Sequence, residues 1–129
     1  TTEVNDYLVK RTQEILKGTA QSLDVQLSIE DLGTVYDIKN DPELVEYLKE
    51  VASQCPLVKA VTTHSDFGGS EDASIIIKRI QQLFGKCIYF VIGADRTAGH
   101  HQPDFDADEA ALEIGFEMFK GLIRKINGC

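Results

Sequence analysis

Cys87-Ile88-Tyr89-Phe90-Val91-Ile92, followed at once by Gly93-Ala94-Asp95-Arg96-Thr97-Ala98-Gly99-His100-His101-Gln102-Pro103-Asp104-Phe105-Asp106-Ala107-Asp108-Glu109, is the stretch that decides the fold. Its first six residues are continuously apolar, the mark of a strand covered on both faces. Beyond it Leu112, Phe116, Phe119, Ile123 and Ile126 recur at helical spacing, so a final helix is expected to bury that stripe against a sheet. A polar loop between a central strand and such a helix sits at the rim of a sheet, where α/β proteins keep their chemistry. Two of the three histidines, His100 and His101, lie in it beside several carboxylates, the composition of a metal or general acid/base site. The acids have a simpler use. Asp106 is placed as an N-cap with Glu109 three residues on, a capping box, and Asp108 suits the positive end of the helix dipole. Helix initiation therefore claims the acids, and the histidine pair remains as candidate chemistry.

Working outward, 129 residues with 43% hydrophobic and 26% charged side chains suit one globular domain or two small pieces. A net charge of −8 argues against nucleic-acid or membrane-surface binding, which both need basic patches. The longest apolar runs fall far short of the roughly 20 residues of a membrane span, and no signal-peptide pattern opens the chain, which reads as soluble and cytoplasmic. Cys55, Cys87 and Cys129 are odd in number and form no C-x-x-C pair, so reduced thiols are expected. The chain begins Thr1-Thr2-Glu3 and enters a helical pattern almost directly, which reads as a fragment.

Residues 3–23 carry Val4, Tyr7, Leu8, Ile15, Leu16, Ala20 and Leu23 at helical spacing. Residues 25–29 alternate apolar and polar, a strand with one wet face. After an unpatterned joint at 34–40, Asp41-Pro42-Glu43 gives an N-cap, a proline at the first helical position and an acid in the first turn; Pro56 stops that helix. Residues 57–63 predict a β-branched strand delivering His64-Ser65-Asp66-Phe67-Gly68-Gly69-Ser70-Glu71-Asp72 at its end. Ser70 is placed to cap a helix whose buried face is expected to hold Ala73, Ile76, Ile77, Ile80 and Phe84. A helix N-terminus behind Gly68-Gly69 favours an anion, although a Gly-Gly turn before a capped helix is more often only a tight turn.

Taken together, Gly69-Ser70-Glu71-Asp72, the strand Tyr89-Phe90-Val91-Ile92-Gly93, Gly99-His100-His101-Gln102-Pro103 and Phe105-Asp106-Ala107-Asp108-Glu109 resemble the C-terminal part of the M20 family of metallopeptidases and amidohydrolases, in its aminobenzoyl-glutamate hydrolase and amidohydrolase branch. The resemblance runs over about residues 40–126, through several motifs in the family's order and spacing. It implies an α/β fold: residues 36–129 as part of a three-layer mixed-sheet catalytic domain, and residues 1–35 as the final helix and strand of an α/β lid that mediates dimerisation. It further implies two divalent metals in the parent, usually zinc with manganese or cobalt as alternatives, and a general-base glutamate from a Glu-Glu pair. That base lies upstream in the family, so no catalytic residue is expected within these 129 residues, which contain no Glu-Glu pair.

The family's last metal-ligand histidine matches His101, two residues before Pro103, and Gly68, Gly69, Ser70 and Glu71 match the wall that holds the substrate's carboxylate end. His100 is expected to line the site or to orient His101. His64, at a strand end on the same rim, is a further pocket residue. Taken without the motifs, His101 reads as a surface-loop histidine. Ala73 and Ala107 depart from frequent phenylalanines, which puts the pocket's shape in doubt.

The expected partner is a small N-acyl amino acid or dipeptide, and the expected assembly a homo-oligomer. The parent would be an amide hydrolase using metal-bound water, with this chain inactive and metal-free alone. The rival is a non-catalytic α/β module that binds a small anion or one metal.

Overall fold

The computed structural model describes residues 1–63 and 71–128. Among them four helices are formed: α1 (Thr2–Ser22), α2 (Pro42–Gln54), α3 (Ala73–Gln82) and α4 (Ala110–Asn127). Each falls where its periodicity places it. The Thr1 side chain accepts from Val4 N–H to cap α1, and Asp24 turns the chain out of that helix in the left-handed region at φ 50°. Pro42 opens α2, and Gly128 closes α4 at φ 71° with its N–H on the Arg124 carbonyl.

The mixed sheet expected from residues 25–29, 57–63 and 87–92 is absent among the described residues, where the only β pairing is an isolated antiparallel bridge, Arg96 to Ala107. The three segments form no ladder with one another. A strand needs a neighbour for its N–H and C=O groups, and residues 87–89 find side chains in that role. Asn40 accepts from Tyr89 N–H at 2.7 Å and donates to the Tyr89 carbonyl at 2.8 Å, as a paired strand residue would. One step on, the Asp41 carboxylate accepts from Cys87 N–H at 2.7 Å, and Asp41 N–H donates to the Cys87 carbonyl at 2.9 Å. Asp41 thus occupies the N-cap position of α2 without capping it. Its carboxylate also accepts from Gln81 of α3 at 2.9 Å, so residues 40–41 join α3 to the extended segment.

The principal core lies between α2 and α4, where Leu44, Ala52, Met118 and Leu122 are buried. Gly121 permits close approach, because a Cβ there would overlap Cγ1 of Val51. Lys125 pairs with Glu50 across the same seam and stands 5.5 Å from the Tyr47 ring centroid. The stripe expected to be buried on α4 is on the other side: Leu112, Phe116, Phe119, Ile123 and Ile126 are all exposed, Leu112 by 73%. Phe119 packs against Phe90, with ring centroids 5.0 Å apart. On α3 the buried residues are Ser74 and Ile77, while Ile76, Ile80 and Phe84 face solvent. Ser74 is chosen because its hydroxyl accepts from Tyr36 N–H at 3.0 Å, which lays residues 36–41 along the helix.

These exposed stripes have a common cause. The chain exposes 10426 Å², about half as much again as the roughly 6,800 Å² of a folded monomer of 14.3 kDa. The apolar faces legible in the sequence are present, but among the described residues no sheet covers them. Along α1 likewise only Ala20 is buried, and an open groove of about 570 Å³ runs between Gln13, Lys17 and Gln21 on the helix and Val25, Leu27 and Ile29. No helix among the described residues is long and apolar enough to cross a membrane.

Candidate functional site

The loop between the 87–92 segment and α4 is a pinned hairpin. Asp108 N–H donates to the Asp95 carbonyl at 2.9 Å, Arg96 bridges to Ala107, and Thr97 N–H donates to the Asp106 carbonyl at 3.0 Å. The Thr97 hydroxyl adds two links, donating to the Asp104 carbonyl at 2.6 Å and accepting from Asp106 N–H at 2.9 Å. At the tip Gln102 N–H reaches the Gly99 carbonyl and Phe105 N–H the Gln102 carbonyl, a pair of tight turns around the histidines.

His100 lies with its ring over Phe105, centroids 5.2 Å apart and planes inclined by 28°. His101 is exposed and adopts φ 64°, a left-handed backbone that histidine tolerates better than most side chains. The structure therefore directs the two adjacent imidazoles differently, one against a ring and one at a reversal of the chain. Pro103 favours an extended backbone at Gln102, the residue before it.

The acids of the loop are distributed otherwise than a capping box requires. The N-cap position of α4 is Glu109, which makes no side-chain cap, and Asp106 bonds its own neighbour, Ala107 N–H, at 2.9 Å. Asp108 does the capping, accepting from Ala110 N–H at 2.9 Å. Helix initiation still claims the acids, through a different residue. Asp95, Arg96, Thr97, Asp106, Ala107 and Asp108 line a shallow cleft of about 370 Å³ below the tip.

Of the expected substrate wall, Gly68, Gly69 and Ser70 lie outside the described residues, as does His64. No H-x-D motif is expected in these residues from the resemblance, but His64-Ser65-Asp66 has that spacing, and it falls in the same segment outside the described residues. Glu71 is described and half-buried. Burial first, and then the Glu71 carboxylate, hold the Tyr89 phenol above its ordinary pKa. The Cys87 thiol is pushed up by burial and by Asp41, which lowers its thiolate fraction. Asp41 is held below the usual aspartate range by Cys87 N–H and then by Gln81.

Among the described residues no three His, Cys, Asp or Glu side chains gather closely enough to hold a metal ion.

The chain is 38% identical over 123 residues to a p-aminobenzoyl-glutamate hydrolase homolog of Haemophilus influenzae, covering 95% of this chain and 29% of that protein. It is 33% identical to the indole-3-acetyl-aspartic acid hydrolase of Enterobacter agglomerans, over 91% of this chain and 27% of the relative. It is 31% identical to the N-acetyldiaminopimelate deacetylase of Streptococcus sanguinis, over 98% and 33%. The chain therefore spans about a third or less of the length of these relatives. No solved structure matches it significantly. Residues 6–125, nearly the whole sequence, match the description "Peptidase family M20/M25/M40", and the chain belongs to that family.

Proposed function

We propose that these residues are the C-terminal portion of an amide-bond hydrolase acting on small N-acyl or N-aminoacyl amino acids, of the aminobenzoyl-glutamate kind. The observation that carries the reading is the pinned loop that presents His101 at an exposed reversal of the chain, in a member of a family that is in general metal-dependent. Three relatives support the substrate class, since their names join an acyl group to an amino acid: p-aminobenzoyl-glutamate, indole-3-acetyl-aspartic acid and N-acetyldiaminopimelate. In each the amino-acid part is anionic, and the partner we assign to it is the loop of Gly68, Gly69 and Ser70 before α3.

In this reading residues 1–35 belong to a lid and 36–129 to the catalytic domain of a cytoplasmic homo-oligomer. His101 serves as one ligand of a metal pair, zinc in the first instance, and His100 orients the site from its stack on Phe105. The chain alone does not hydrolyse amides, because one histidine cannot hold two metals. The test is metal content and turnover in the full-length protein. His101→Ala removes one metal equivalent and abolishes turnover, while His100→Ala keeps both metals with activity lowered about 10–100-fold. Loss of metal from His100→Ala with retention in His101→Ala reverses the assignment.

A further inference from the structure

The histidine loop has almost no apolar anchorage: of residues 93–106 only Ala98 is even half-buried. Its shape must come from hydrogen bonds. One side chain supplies bonds that cross between the two legs, because the Thr97 hydroxyl both donates to the Asp104 carbonyl at 2.6 Å and accepts from Asp106 N–H at 2.9 Å. The remaining cross-links are backbone pairs at the base, Thr97 N–H to Asp106 and Asp108 N–H to Asp95. Above them the hydroxyl is the last tie before the tip. It also sets Phe105, which lies between the two residues it bonds and carries the ring under His100.

We infer that Thr97 is the positioning residue of this site: its hydroxyl holds Asp104-Phe105-Asp106 against the first leg, and thereby fixes His100 on Phe105 and the left-handed turn at His101. That the fixed histidines serve hydrolysis rests on the function proposed above; that the hydroxyl fixes them does not. The β-branched χ1 of threonine is stiff, so the hydroxyl is preset for both partners. Each bond is exposed, and losing both lowers the population of the pinned tip roughly tenfold at the usual strength of such bonds.

The experiment is NMR of the 129-residue chain with Thr97→Val, which keeps the shape and removes the hydroxyl, and Thr97→Ser, which restores it. The wild-type His100 ring protons should show an upfield shift from Phe105, with order parameters at residues 99–102 near those of rigid backbone, about 0.85. Valine should abolish the shift and bring the order parameters below about 0.6, while serine keeps both. Amide signals of α4 report whether the rest of the chain stays folded. An unmoved tip in Thr97→Val overturns the inference, as does a loose tip in Thr97→Ser; should valine unfold α4 as well, the serine variant alone decides. In the full-length protein Thr97→Val should lower kcat about 10–100-fold, with recovery in Thr97→Ser. A loosened tip with unchanged kcat refutes the catalytic consequence, whereas an inactive wild type refutes the hydrolase reading and leaves the NMR result standing.

Discussion

Gly121 offers a sharp test of the α2–α4 seam, because helix propensity and packing push it in opposite directions. In an isolated helix Gly→Ala gains about 0.8–1 kcal/mol. Here the added methyl would overlap Cγ1 of Val51 and stand 3.4 Å from its Cγ2. Valine in a helix holds one χ1 rotamer for most of the time, so it cannot swing aside and the helices must part. Overpacking of this kind costs about 1–3 kcal/mol, which leaves Gly121→Ala destabilising by about 1 kcal/mol net. With Val51→Ala present both offending carbons are gone, the remaining Cβ lies at an ordinary 3.5 Å, and the propensity gain should emerge. Urea unfolding followed by helical circular dichroism reads both. At a slope of about 2 kcal/mol/M the midpoint should fall by about 0.5 M in the wild-type background and rise by about 0.5 M beside Val51→Ala. A shift of the same sign in both backgrounds refutes the contact, and with it the helix pair as the principal core.

Asn40→Ala removes both bonds to the Tyr89 backbone and should cost about 1–3 kcal/mol, with hydrogen exchange at Tyr89 N–H accelerated first; exchange unchanged there would contradict the clamp. Asp41 is held below its ordinary pKa in the folded chain, so the unfolded chain takes up its proton first on acidification. Its stabilising contribution is complete above about pH 4 and is lost as the pH falls through the depressed folded value; Asp41→Asn should flatten that acid limb, and an unaltered limb by urea titration counts against it. The 25–29 segment offers Val25, Leu27 and Ile29 with no strand beside them among the described residues, so the chain should self-associate, and a strict monomer by light scattering at high concentration would contradict this.

The helices were legible because their signals are local: Pro42 after Asp41, the spacing within residues 110–127, Gly128 past the last turn. The strands were legible only as segments, since a strand is completed by a neighbour and Cys87 to Tyr89 met Asn40 and Asp41 instead. Burial failed where it depended on that sheet. Met118 and Leu122 face α2, and the heavier stripe of Phe116 and Phe119 stays in water. At the site the histidine pair was readable from composition and resemblance. The Thr97 pin was not, for a threonine in a polar loop carries no pattern until its two partners fold around it. Asp108 rather than Asp106 caps α4 because the Arg96–Ala107 bridge holds Asp106 back in the hairpin.

The left-handed backbone of His101 changes how any substitution there should be interpreted. Histidine, asparagine and aspartate visit that region several-fold more readily than other residues, and glycine does so freely. Alanine does not, and an ordinary side chain forced into it costs about 1–2 kcal/mol. An alanine replacement therefore makes two changes at once, deleting an imidazole and penalising the reversal on which the loop turns. His101→Gly and His101→Asn separate them: both leave the chain able to reverse, and neither keeps the ring. Only the part of an alanine phenotype that these two share belongs to the imidazole.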